Sequence, residues 1–106
     1  MGRGTRPRPL HLAEKLIRIR AALGLSQNEM IRHLQSADEL TQDYVSAYER
    51  GVREPPLPIL LKYAQAANVY VDVLIDDELD LPTKLPSATK HTGLRRPAST
   101  RKGKRL

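Results

Sequence analysis

Between Leu10 and Asp80 the apolar residues recur at helical intervals, and outside that span they thin out. Leu12, Leu16, Ile19 and Leu23 lie on one face of a helix, spaced four, three and four residues apart. Gly24 is a C-cap for that helix. Ser26, with Glu29 three residues on, is a capping box that opens a second helix, whose buried side is Met30, Ile31 and Leu34. Gln35 to Leu40 reads as a polar link. Thr41 is the N-cap of a third helix containing Tyr44, Val45 and Tyr48, and Gly51 ends it. A fourth helix accommodates its prolines in the first turn and offers Leu57, Leu60, Leu61, Ala64 and Ala67 as its face, with Asn68 as a left-handed stop. Val71 to Ile75 is a short fifth helix. Val69-Tyr70-Val71 is too short to argue for a strand. The expectation is an all-α, compact five-helix domain. A core drawn from about 70 residues is small, and short connections between helices suit it.

Charge divides the chain the same way. Residues 1–8 hold three arginines (+3), residues 9–80 hold seven basic and twelve acidic side chains (−5), and residues 81–106 hold eight basic and no acidic ones (+8), for a net +6. The first nine residues are rich in Gly, Pro and Arg and read as a flexible basic arm. From Leu81 on, Pro, Gly, Ser, Thr, Lys and Arg read as a disordered basic tail. The predicted organisation is therefore arm 1–9, folded domain 10–80 and tail 81–106. Long-range attraction to a polyanion comes from the two ends.

Composition narrows the function. There is no cysteine, so disulfides, thiolate metal sites and cysteine nucleophiles are excluded. Four tyrosines, with no Phe or Trp, are too few for a base-stacking platform. No apolar run approaches the ~20 residues of a membrane span, and the N-terminus lacks the apolar segment of a secretory signal. His11, His33 and His91 have no carboxylate at ligand spacing, so no metal is expected. Asp76, Asp77, Glu78 and Asp80 lack the glycine and alternating oxygens of a calcium loop. They read as a solvated helix end, or as a patch that holds the basic tail when no other polyanion is bound. No triad, paired buried carboxylates or phosphate loop is recognisable, so neither an enzyme nor a cofactor is expected.

Three stretches in order carry a resemblance: Gly24-Leu25-Ser26-Gln27, then Tyr48-Glu49-Arg50-Gly51, then Leu57 through Ala66 after Pro55. Over about residues 12–76 the chain resembles the Cro/repressor-type, Xre-like helix-turn-helix regulators. The resemblance implies a bacterial, cytoplasmic, nucleoid-associated transcription regulator. Its third helix, about 41–50, would read double-stranded DNA in the major groove. It further implies a phosphate clamp at Ser26 and Gln27 and an ion pair between Arg20 and Glu49.

The residues agree with that picture. Val45 and Tyr48 would pin the third helix, leaving Gln42, Asp43, Tyr44, Ser46 and Ala47 on an arc that faces a groove ~12 Å wide. Arg50 and Arg53, just beyond, would reach phosphates. There are departures. The link at 35–40 is about four residues longer than the family's turn, so either the angle between the helices changes or the second helix runs on. Ala47 stands where a long polar reader is usual, leaving only apolar contact, and Asp43 is an acid facing a polyanion. Arg6-Pro7-Arg8-Pro9 suits an A·T-rich minor groove, and the tail basics from Arg95 to Arg105 suit phosphates. A homodimer would form on DNA or through Val71, Val73 and Ile75. The rival class is a protein-interaction or antitoxin-like module whose basic tail binds an acidic partner. A second rival is a sequence-blind binder that touches DNA only through its arms.

Overall fold

The computed structural model describes residues 8–96. The chain forms α1 (Leu12–Leu23), α2 (Gln27–His33), α3 (Gln42–Glu49), α4 (Leu57–Ala67) and α5 (Asp72–Ile75). A two-residue strand β1 (Leu79–Asp80) then pairs antiparallel with β2 (Leu94–Arg95). α1 is central, packed against α3, α4 and α5.

The helix ends follow local chemistry. Gly24 takes φ 72°, and the next N–H, that of Leu25, returns to the Arg20 carbonyl at 3.2 Å. At the start of α2 the capping box is closed both ways: Glu29 N–H donates to Ser26 Oγ (3.1 Å), and Ser26 N–H donates to Glu29 Oε1 (2.7 Å). The second of these bonds, from the Ser26 backbone N–H, is the main cause that holds the Glu29 carboxyl below its usual range. Thr41 caps α3 by position, but its side chain makes no cap bond. Asn68 ends α4 in the left-handed region at φ 57°.

The long link between α2 and α3 does not extend α2. The helix stops at His33, Gln35 turns left-handed at φ 56°, and Ser36 accepts on its carbonyl from Glu39 N–H and Leu40 N–H, both at 2.9 Å. That turn drops Leu40 into the core. Ser36 is itself buried: its hydroxyl donates to Leu34 O and accepts from Lys62 Nζ.

The face of α4 is rotated from the sequence expectation. Ile59, Leu60, Tyr63, Ala64 and Ala67 are buried, whereas Leu57 is 77% exposed and Leu61 46%. The helix is apolar nearly all round, so two overlapping faces satisfy the same period and packing against α1 chooses between them. Val73, proposed as part of a dimer surface, is fully buried. Of that trio Ile75 is exposed and Val71 half-buried.

α1 and α5 are joined by two contacts that composition alone does not reveal. Lys15 lies on the buried side of α1, and its ammonium donates to Val73 O (2.7 Å) and Asp76 O (3.1 Å), satisfying carbonyls at the end of α5. In return the Asp77 carboxylate accepts from Leu10 N–H (2.9 Å) and His11 N–H (3.1 Å), where α1 has no cap of its own.

The sequence expectation from Leu81 on is a disordered basic tail. Residues 81–96 fold back as a strap over the body. Leu81 is buried, Ser87 N–H donates to Ala67 O, Tyr70 N–H to His91 O, and Arg96 N–H to Glu78 O. The acidic patch takes the first tail arginines: Arg95 meets Glu78 at 3.1 Å, and Asp80 meets both Arg18 (3.0 Å) and Arg96 (3.5 Å). These anchors are backbone bonds and ion pairs, which low hydrophobicity does not disclose. The Arg101-to-Arg105 basics lie outside the described residues, as do Arg3 and Arg6 of the arm.

Within the strap, Gly93 lies close enough to the body that a side chain there would collide. It adopts φ 90°, and a Cβ there would stand 3.0 Å from Val73 Cγ2 and 3.1 Å from Asp80 O. Gly93→Ala is expected to lift the strap at a cost of about 1–3 kcal/mol. Hydrogen exchange should then accelerate at the amides of Ser87, His91 and Arg96 while α1 and α3 keep their protection. Unchanged exchange at those three amides would refute the close approach.

Candidate nucleic-acid interface

Val45 and Tyr48 sit in the core at 0% and 3% exposure, and this fixes how α3 is turned. Gln42, Asp43 and Tyr44 are consequently exposed, with Ser46 and Ala47 half-buried beside them. These are the five residues expected on the outward arc, and the structure groups them on one side of α3.

Behind that arc runs a polar chain linking three helices. Arg20 of α1 grips Glu49 at the end of α3 with two bonds, Nε to Oε2 at 2.7 Å and Nη2 to Oε1 at 3.0 Å, while Nη1 donates to Leu25 O at 3.0 Å. The Glu49 side chain is only 6% exposed. Its hydrogen bond holds the Arg20 guanidinium above its ordinary pKa, against the opposing effect of burial. Gln27 Nε2 donates to the same Glu49 Oε1 at 3.1 Å, and Gln42 Nε2 donates to Gln27 Oε1 at 3.3 Å. The first residues of α2 and α3 are thus tied to each other and, through Glu49, to α1. Sequence reading paired Arg20 with Glu49 but missed the Gln27–Gln42 contact. Its one signal was a long amide at the first position of both helices.

Ser26 Oγ accepts from Glu29 N–H and keeps its own hydroxyl proton to donate. Gln27 keeps its second Nε2 proton in the same way. Arg50 is exposed and lies along α3, Nε to Ser46 Oγ at 3.1 Å. Arg53 is exposed too, but it is not projected freely: its guanidinium lies over the Tyr44 ring, 5.2 Å from the centroid. Tyr44 in turn stacks on Tyr48, with centroids 6.5 Å apart. Arg8, the described arginine of the arm, pairs with Glu54 at 3.2 Å. His11 bonds Glu14 and His91 accepts from Gly93 N–H. Among the described residues no three His, Asp or Glu side chains form a group that could hold a metal, and no helix is long and apolar enough to cross a membrane.

A helix-turn-helix family model matches residues 16–74, more than half of the chain. The chain belongs to the Cro/repressor-type, Xre-like helix-turn-helix family. No curated protein and no solved structure matches it. As an Xre-like helix-turn-helix protein it is a DNA-binding regulator of transcription, from a family that acts on double-stranded DNA and is not generally enzymatic. The match spans α1 from Leu16 through α5 to Leu74. The strap at 81–96 lies outside the matched region.

Proposed function

We propose that this protein is a sequence-specific regulator that lays α3 in the major groove of double-stranded DNA, acting in the cytoplasm on the nucleoid. The observation that carries the reading is the polar chain Arg20–Glu49–Gln27–Gln42. It holds Gln42 at the leading end of α3 and leaves its amide oxygen, and one amide proton, open toward a base edge. An Asn or Gln amide suits adenine, whose major-groove edge presents one acceptor and one donor. Ser46 and the methyl of Ala47 continue the same face. Ser26, Gln27 and Arg50 donate to phosphates on either side, which orients the domain without reading sequence. One such helix covers few base pairs, so two copies meeting on DNA, with half-sites about 34 Å apart, are part of the proposal.

The test is selection from random duplexes at ~150 mM salt, where non-specific binding is weak. Enrichment of one motif supports the reading. Binding without enrichment leaves a sequence-blind binder, and no binding shifts the function to a protein partner. The acidic body favours that last outcome. Gln42→Ala is expected to relax preference at one position by about 1–3 kcal/mol while leaving affinity for unrelated duplexes unchanged. Uniform weakening on all sequences would remove Gln42 from base reading.

A further inference from the structure

α3 lacks the long polar side chain that a groove-reading helix commonly carries at Ala47. The structure fills that place from outside the helix. Thr41, Asp43, Tyr44, Ala47 and Arg53 line one open concavity of about 340 Å³ on the outer face of α3. Arg53 belongs to the loop after α3, yet its guanidinium is brought over the helix by Tyr44. Tyr44 rests on Tyr48, which is in the core. The guanidinium therefore ends an aromatic stack rooted in the interior. A residue serving only as a phosphate contact has no need of such a platform, since a flexible point charge suffices.

We propose that Arg53 and Asp43 together read one G·C pair, with Tyr44 as the positioning residue. The inference rests on the reading that α3 enters the major groove. Guanine presents two acceptors, O6 and N7, which match the two-pronged guanidinium. Its partner cytosine presents one N4 amino donor, which matches the Asp43 carboxylate. Donor and acceptor stand on the same concavity, so both halves of one base pair are addressed. A guanidinium lining the same concavity also offsets the repulsion between Asp43 and the DNA phosphates, which gives the acid a use on this face.

The experiment compares the full chain with Arg53→Lys, Tyr44→Phe, Tyr44→Leu and Asp43→Ala in the same duplex selection, followed by affinities on the enriched site and on its single-pair variants. Arg53→Lys keeps the charge and loses the fork. It is expected to reduce discrimination at one G·C position by about 5- to 100-fold, with affinity for unrelated duplexes unchanged. Tyr44→Leu should lose discrimination at that same position, Tyr44→Phe should retain it, and Asp43→Ala should weaken it there. Thermal melting of Arg53→Lys, an exposed substitution, should match the parent. An unaltered profile for Arg53→Lys, or equal weakening on every duplex, would make Arg53 a phosphate contact and overturn the inference. Effects of Arg53→Lys and Tyr44→Leu at different positions would overturn Tyr44's role. If the unaltered chain enriches no motif, the parent reading fails and this one falls with it. Failure of the substitutions against an enriched motif refutes only the present inference.

Discussion

Glu49→Ala should lower the melting temperature by roughly 10–20 °C, the shift expected in a small domain for a loss of about 2–3 kcal/mol. The reasoning is geometric. Glu49 accepts two bonds from Arg20 and one from Gln27 while its carboxylate is nearly sealed from water. Removing it leaves a partly buried guanidinium whose remaining bond is to Leu25 O. An exposed pair of the same type would contribute at most ~1 kcal/mol. A shift under about 5 °C would therefore place this pair in the exposed class.

The same substitution separates structure from function. At a temperature well below its melting point the variant is folded, but Gln27 has lost its anchor and Gln42 its fixed neighbour. Re-ordering two side chains on binding costs about 0.5–1.5 kcal/mol each. Together that is about 1–3 kcal/mol, so affinity for the selected duplex should fall about 5- to 150-fold beyond any effect of unfolding. Unchanged affinity in the folded variant would confine the network to a structural role.

The parts of this fold that local chemistry determines were legible: Gly24 and Asn68 as left-handed stops, the Ser26–Glu29 box, and the burial of Val45 and Tyr48, from which the outward arc follows. Contacts between distant groups were not. The phase of α4 depends on which apolar face meets α1, and its period alone is satisfied by Leu57 and Leu61 as readily as by Ile59 and Tyr63. The strap is held by the main chain of Ala67, Tyr70, Ser87 and His91, whose donors and acceptors are the same for every sequence. At the site, Gln27 and Gln42 stand fifteen residues apart, and only the packing of α2 against α3 brings them together. Arg53 reads from the sequence as a phosphate contact, and only the course of the loop after α3 places it over Tyr44.

Lys15 supplies the other large effect. Lys15→Ala removes a fully buried aliphatic stem and leaves the carbonyls of Val73 and Asp76 without their donor, so a loss of about 3–5 kcal/mol is expected. Lys15→Met keeps the stem and isolates the charge. Burial, and then the positive charge of Arg96, push the Lys15 pKa below its ordinary 10.5, against the pull of Asp77, Asp80 and Asp76. Between the lowered value and 10.5 the unfolded chain binds more protons than the folded one, so stability rises with pH across that window. Tyr63 and Tyr48 act in the opposite sense. Burial raises both phenols above 10.0, the unfolded chain loses those protons first, and stability falls as pH climbs past 10. Melting curves recorded between pH 7 and 12 should therefore climb and then fall in the parent, whereas Lys15→Met should lose the climb and keep the fall. Parallel curves for the two proteins would mean that the ammonium is as well accommodated between α1 and α5 as it is in water.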